Sequence, residues 1–198
     1  LAYRLAIKCG IIMPPCKIER ISGRHNTFFT KRFDRDISDR IHFASAMTMT
    51  DQDENTLKDT PGSYLDIAEF IQFKGCQNKI DLHQLWRRII FHIAISNTDD
   101  HLRNHGFLLT DKGWILSPAY DLNPSVDKDG LALNIDTHQN DLDFNLAKSV
   151  GEYFQLTSNE MDLITDEVKK NVSDWRMTAQ EIGISRAEQE MMSGAFRY

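Results

Sequence analysis

Asn97-Thr98-Asp99-Asp100-His101-Leu102-Arg103-Asn104-His105-Gly106 has no hydrophobic period of its own, yet it lies between two segments that do. Upstream, Leu82, Leu85, Trp86, Ile89, Ile90 and Ile93 recur at helical spacing. Downstream, Phe107-Leu108-Leu109 and Trp114-Ile115-Leu116 flank the turn Thr110-Asp111-Lys112-Gly113, which predicts a β-hairpin. Polar residues on a loop held by rigid elements are where chemistry concentrates. Asp99 and Asn104 are spaced D-x4-N, and a further carboxylate, Asp121, follows the hairpin in Ser117-Pro118-Ala119-Tyr120-Asp121-Leu122-Asn123-Pro124. Phosphoryl transfer needs such a set. One carboxylate receives or orients the proton of the attacking hydroxyl, and a neutral amide oxygen with a second carboxylate holds Mg2+ against nucleotide phosphates.

The chain order of catalytic loop, hairpin and metal loop is that of protein kinases. Asp99 lies five residues before Asn104 and Asp100 only four, so spacing selects Asp99 as the base and Asn104 with Asp121 as metal ligands. Two other readings stay open. Asn97, Thr98 and Asp99 are also residues that cap or end helices. His101 and His105 are i, i+4, and on a helix they would share a face able to hold Zn2+ with Asp99 or Asp100, as in a metal-dependent hydrolase. Against that, no H-E-x-x-H is present and Gly106 follows at once.

Further out, Leu1 to Cys9 reads as an amphipathic helix closed by Gly10. Lys17–Ser22 and Thr27–Phe33, with the turn Gly23-Arg24-His25-Asn26 between them, predict a first hairpin. Arg35–Asp59 is polar and mixed, and is read as loop with short helices. Tyr64–Phe73 is a further helix after the break Pro61-Gly62-Ser63. Leu131–Ile135 is read as a short strand, and His92 as a satisfied core histidine. Thr157 and Glu160 fit a capping box, after which Met161, Ile164, Val168, Val172, Trp175 and Ala179 trace one buried face over about five turns. Ser185 and Glu188 open a last short helix. The class expected is mainly α with small β-hairpins.

With 198 residues the chain is one domain, or one and a partner lobe. Its charge of −6 leaves no net basic field, so direct nucleic-acid binding is not expected. The apolar run Ile89–Ile95 is interrupted by His92 and falls far short of a membrane span. Three cysteines without a C-x-x-C pair point to a reducing, cytoplasmic setting. The first residue is Leu and no leader-like stretch follows, so the expectation is a chain that starts in mid-fold.

Thr98-Asp99-Asp100-His101-Leu102-Arg103-Asn104 together with Leu116-Ser117-Pro118-Ala119-Tyr120-Asp121-Leu122-Asn123-Pro124 resembles the HipA family of bacterial kinase-like toxins. Thr30-Lys31-Arg32-Phe33-Asp34-Arg35 looks like that family's hinge, and Leu5–Ile11 with Pro14-Pro15 like the helix and strand before it. The resemblance covers nearly the whole chain. It implies a protein-kinase-like C-lobe over residues 41–198, with residues 1–40 as a hinge and hairpin leading from an N-terminal lobe. It implies a serine/threonine protein kinase that uses Mg-ATP, with Asp99 catalytic and Asn104 and Asp121 on Mg2+. It also implies nucleotide contacts from Lys31, Arg32, Phe33, His101, Arg103, Asn104, Tyr120 and Asp121, a protein substrate, and a DNA-binding antitoxin as partner. Two departures stand out. The family's phosphate-binding loop and its phosphate-gripping lysine would lie before Leu1, and Lys31 replaces an acidic residue often seen in the hinge. A chain lacking that lobe is expected to be weak or inactive alone, since phosphate positioning is most of what such an enzyme does. A non-catalytic interaction module of a toxin–antitoxin complex is the alternative.

Overall fold

A computed structural model describes residues 1–37 and 39–198. The first helix, α1 (Ala2–Lys8), buries Leu5 and Ala6. It ends where Gly10 turns to φ +73°, with the Gly10 amide on the Ile7 carbonyl and the Ile11 amide on that of Ala6. A left-handed residue at this point satisfies the last carbonyls, and glycine adopts it without the Cβ clash.

The hairpin expected next forms from β1 (Cys16–Glu19) and β2 (Thr27–Thr30), antiparallel with Cys16 opposite Thr30. Its strands are shorter than the sequence suggested. The polar stretch after it holds strands that no alternation betrayed. β3 (Arg35–Asp36) pairs with β4 (Asp39–Arg40), and β5 (Phe43–Ser45) lies farther on. Arg32 and Arg35 there are neutralised by Asp34, as mixed charge on a solvated face implies.

Two one-turn helices, α2 (Ala46–Met49) and α3 (Thr56–Asp59), lead to α4 (Tyr64–Lys74). Ser63 caps α4 in a box with Asp66. α5 (Asn78–Ile95) starts four residues earlier than its apolar period shows. From Leu85 to Ile95 all but Arg87 are buried, so α5 is the central helix of the core. It stops at Ser96, a non-glycine residue at φ +49°. That conformation costs about 1–2 kcal/mol for an L-residue, and it is held by bonds from three directions. The Ser96 amide donates to Ile93, its carbonyl accepts from Ser125, and its hydroxyl accepts from Arg197 Nε.

After a 3-10 turn at Leu102–Asn104, β6 (Gly106–Thr110) and β7 (Gly113–Leu116) form the predicted second hairpin. β5 adds to its open side, giving a three-stranded sheet in the order β5-β6-β7. Leu131–Ile135 is not a strand. Leu131, Leu133 and Ile135 are apolar because they fill the core, while the segment's backbone makes only single bridges, as at Ser63–Asn134.

The C-terminal part begins with α6 (Phe144–Ser149) and a 3-10 turn at Gly151–Phe154. The stripe read as one helix is two, α7 (Ser158–Ser173) and α8 (Trp175–Glu181), broken at Asp174. Its face stays continuous: Met161, Ile164, Val168, Val172, Trp175 and Ala179 are all buried. α1 packs on α7 and α8, with Lys8 donating to the Thr178 hydroxyl at 2.9 Å. α9 (Arg186–Met191), capped by Ser185, closes the chain, and Phe196 stacks on Trp175 at 4.1 Å. Among the described residues no helix is long and apolar enough to cross a membrane.

Candidate active site

The loop after α5 turns its two aspartates opposite ways. Asp99 is exposed and Asp100 is 1% exposed. Asn104, on the 3-10 turn, is buried and donates through Nδ2 to the Asp99 carbonyl at 3.2 Å. Its side-chain oxygen is thereby left for another partner. Asp121 is exposed, at φ +58°, and Asn123 donates to its Oδ1 at 2.8 Å. Non-glycine residues held in the left-handed region gather at functional sites, and Asp tolerates it better than most. An amide oxygen and a carboxylate are hard donors of the kind Mg2+ takes, so this pair fits that ion.

Tyr120 joins the two loops. Its hydroxyl donates to the Arg103 carbonyl at 2.6 Å, and its ring lies 5.7 Å from Phe33 and 6.3 Å from Phe43. Burial, with the nearby Asp100 and Asp121 charges, pushes its hydroxyl up to about 12, against the pull of Arg88, so it stays a donor. Of the hinge residues, Phe33 is therefore gathered with Tyr120. Lys31 and Arg32 stay exposed; the Lys31 amide is already taken by the Pro15 carbonyl at 2.8 Å, and Arg32 is paired with Asp34. Arg103 is also exposed and pairs with Glu54. His101 is half-buried, with a buried Nδ1 that no protein group meets.

Beneath the loop lies a polar core that the spacing argument did not find. Asp100 Oδ2 accepts from the Tyr64 hydroxyl at 2.6 Å and faces His105 Nε2 at 2.7 Å and His92 Nε2 at 3.6 Å. Burial alone would push the Asp100 carboxyl up. The facing His105 and His92 rings and the bonds from His105 and Tyr64 outweigh it, and the net displacement is well below the usual carboxylate range. Burial drives His92 down to about 4, so that ring is neutral near pH 7. It is a core histidine, but only half satisfied: Nδ1 lies 2.8 Å from the Asn97 amide, while Nε2 has no partner within hydrogen-bond reach. Arg88, one turn earlier on α5, is 2% exposed and donates to the Ser117 carbonyl at 2.6 Å. Burial lowers it to about 10, against the pull of Asp100 and Asp81, so it stays charged.

His92, Asp100 and His105 also bring three possible metal-ligand atoms within 4.8 Å. Two observations argue for a hydrogen-bonded cluster instead. Tyr64 and His105 sit at hydrogen-bond distance from one carboxylate oxygen, and the buried Arg88 cation already acts on Asp100. A divalent ion would put two more positive charges into a closed site. The His101–His105 zinc pair does not form either. Both residues flank a 3-10 turn in extended backbone, His101 at φ −122° and His105 at φ −114°, so they share no helical face.

Comparison with known proteins gives the family and the fold. A profile described as the HipA-like C-terminal domain matches residues 1–176. "Putative kinase Y4mE" of Sinorhizobium fredii (strain NBRC 101917 / NGR234) is 24% identical over 189 residues, which cover 91% of this chain and 39% of that protein. HipA of Shewanella oneidensis MR-1, solved with HipB and its operator DNA, superposes with a TM-score of 0.76 at 19% identity, over 97% of this chain and 51% of the HipA chain. The Helicobacter pylori proinflammatory kinase CtkA superposes at 0.55 with 12% identity, over 87% of this chain and 80% of that one. The last two likenesses are of fold, and the chain spans about half of the HipA chain and less of Y4mE.

Proposed function

This chain belongs to the HipA-like C-terminal domain family, and from that premise we propose that it is the C-lobe of a serine/threonine protein kinase that uses Mg-ATP. The observation that carries the proposal is the opposed setting of the loop: Asp99 faces outward while Asn104, five residues on, is tied back to the Asp99 carbonyl.

Asp99 orients the hydroxyl of a Ser or Thr on a protein substrate and takes its proton as the hydroxyl oxygen bonds to the γ-phosphorus of ATP and the bond from that phosphorus to the bridging oxygen breaks, releasing ADP. Asn104 and Asp121 would hold Mg2+, which when bound neutralises charge on the transferring phosphoryl group. Tyr120 keeps the loops carrying these two residues together through the Arg103 carbonyl. Phe33, packed on Tyr120, sets the floor beneath the adenine, with backbone groups of Lys31 and Arg32 at its edge. His101 and Arg103 lie at the rim toward the phosphates. The phosphate grip itself would come from a lobe outside these residues, so this chain alone transfers phosphate weakly or not at all. A DNA-binding antitoxin as partner, and a cytoplasmic setting, complete the proposal.

The test is calorimetric titration of the full-length protein with ATP, with and without Mg2+, beside an assay of transfer from labelled ATP to Ser/Thr peptides. Asp99→Asn should abolish transfer and spare nucleotide binding, whereas Asp121→Ala should remove the Mg2+-dependent part of binding. Transfer that survives Asp99→Asn would refute the assignment.

A further inference from the structure

The polar core beneath the loop is ordered enough to assign its protons. Near pH 7 the His92 ring is neutral and carries one N–H. Were that proton on Nδ1, the Nε2 lone pair would face the Asp100 carboxylate 3.6 Å away, in a site closed to water. That arrangement sets a lone pair against a buried carboxylate where the other tautomer sets an N–H. The proton therefore sits on Nε2, and Nδ1 accepts from the Asn97 side-chain amide at 2.8 Å. His105 Nε2, 2.7 Å from the same carboxylate oxygen, must likewise carry a proton. Two donors, the Tyr64 hydroxyl on α4 and His105 Nε2 at the entry to β6, thus converge on Asp100 Oδ2, and His92 Nε2 on α5 faces the same atom at 3.6 Å.

This convergence falls one residue after Asp99. The Asp100–His105 bond closes residues 100–105 into a ring around the 3-10 turn that carries Asn104. The Asn104–Asp99 bond closes an overlapping ring on the solvent side. Fixing Asp100 thus fixes the peptide that presents Asp99 and the turn that presents Asn104.

We propose that Asp100 is a positioning residue for phosphoryl transfer: clasped by Tyr64 and His105, with His92 facing it, it sets the direction of Asp99 and the place of Asn104. The proposal rests on the kinase reading above and says where its precision comes from. Asp100 touches no substrate. Its effect is on how often Asp99 is aligned, and misplacement of a reacting group by about 1 Å can cost about 100-fold in rate.

The experiment compares wild type, Asp100→Asn, Tyr64→Phe and, as reference, Asp99→Asn in the full-length protein, with Ser/Thr peptides and labelled ATP, well below each unfolding midpoint. Asp100→Asn should lower kcat about 100-fold and Tyr64→Phe about 10-fold, with KM for ATP changed by less than about 3-fold. A role in stability alone would leave kcat of the folded variants unchanged. In parallel, 15N-histidine NMR of the wild type should show protonated Nε2 on His92 and His105, with protons that exchange slowly with water; Asp100→Asn should speed that exchange. Wild-type kcat in both clasp variants, or an Nδ1–H tautomer at His92, would overturn the proposal. If Asp100→Asn does not fold, Tyr64→Phe decides it, since loss of one hydroxyl keeps the shape. If the wild type transfers nothing, or Asp99→Asn transfers as well as wild type, the kinase reading fails instead. The histidine spectra then still decide the clasp.

Discussion

Acidification should unfold this protein from within, at His92. The ring is fully buried, and its folded pKa of about 4 lies below the 6.5 of a free histidine. As pH falls through that window the unfolded chain takes up a proton that the folded chain refuses. Stability is therefore intact above about pH 6.5, declines as pH drops, and bears the full penalty below about pH 4. The gap amounts to about 3 kcal/mol, most of it lost between about pH 7 and pH 4.5. That is a large share of the 5–15 kcal/mol typical of a whole domain. The groups facing the ring are Asp100, His105, Arg88 and Tyr64. All four are retained in His92→Gln, so the excess loss of wild type over variant isolates the ring. Urea unfolding followed by fluorescence of the buried Trp86 and Trp175 measures it, since both change environment on unfolding. Wild type should lose about 2–3 kcal/mol more than His92→Gln between the two pH values. Parallel losses, within about 0.5 kcal/mol, would mean the folded ring takes up protons as freely as the unfolded one, and the closed polar core would be refuted.

Three further outcomes are expected. Arg88→Met removes the donor to the buried Ser117 carbonyl and leaves that acceptor unsatisfied, so urea unfolding should show a loss of about 1–3 kcal/mol; an unchanged or raised stability would mean the guanidinium does not hold that carbonyl. Gly10→Ala places a Cβ at φ +73° and 3.3 Å from Arg87 Nη1, and should cost about 1–2 kcal/mol in the same assay. Because Asp100 is held by hydrogen bonds from Tyr64 and His105, incubation with EDTA should leave the unfolding midpoint of metal-free-buffer protein within about 1 °C; a drop of several degrees would assign a structural cation to the His92–Asp100–His105 cluster.

The parts legible in the sequence are those whose signal is local. α5 shows in its period of apolar residues, β6–β7 in two apolar runs around a turn, and the capping boxes at Thr157 and Ser185 in three-residue spacings. β5 was not legible, because Phe43-Ala44-Ser45 has no alternation and exists as a strand only through pairing with β6. The break at Asp174 was hidden because the stripe of buried residues passes through it unchanged. At the candidate site the same limit applies. Spacing separated Asp99 from Asp100 by one position in a motif. It could not show that Asp100 is buried, since its partner Tyr64 lies 36 residues away and its other partners look like unrelated histidines.

The polar residues of α5 bear on why the fold tolerates them at all. Arg88 and His92 are four apart and so lie on one face of the helix. Arg88 holds the carbonyl of Ser117, which leads into the loop of Asp121, while His92 faces Asp100, which ends the loop of Asp99. Tyr120 then ties the two loops to each other through Arg103. A buried cation and a buried carboxylate are poor sources of stability, and apolar residues of similar size commonly serve a core as well or better. Apolar replacements, however, would free the Ser117 carbonyl and take away the ring that faces Asp100, one change at each of the two loops. One helix face thus touches both halves of the proposed site, so a displacement of α5 moves the proposed base and the proposed metal ligand as a pair rather than pulling them apart. That is a reason for charge to persist at the centre of a core where packing alone would favour leucine.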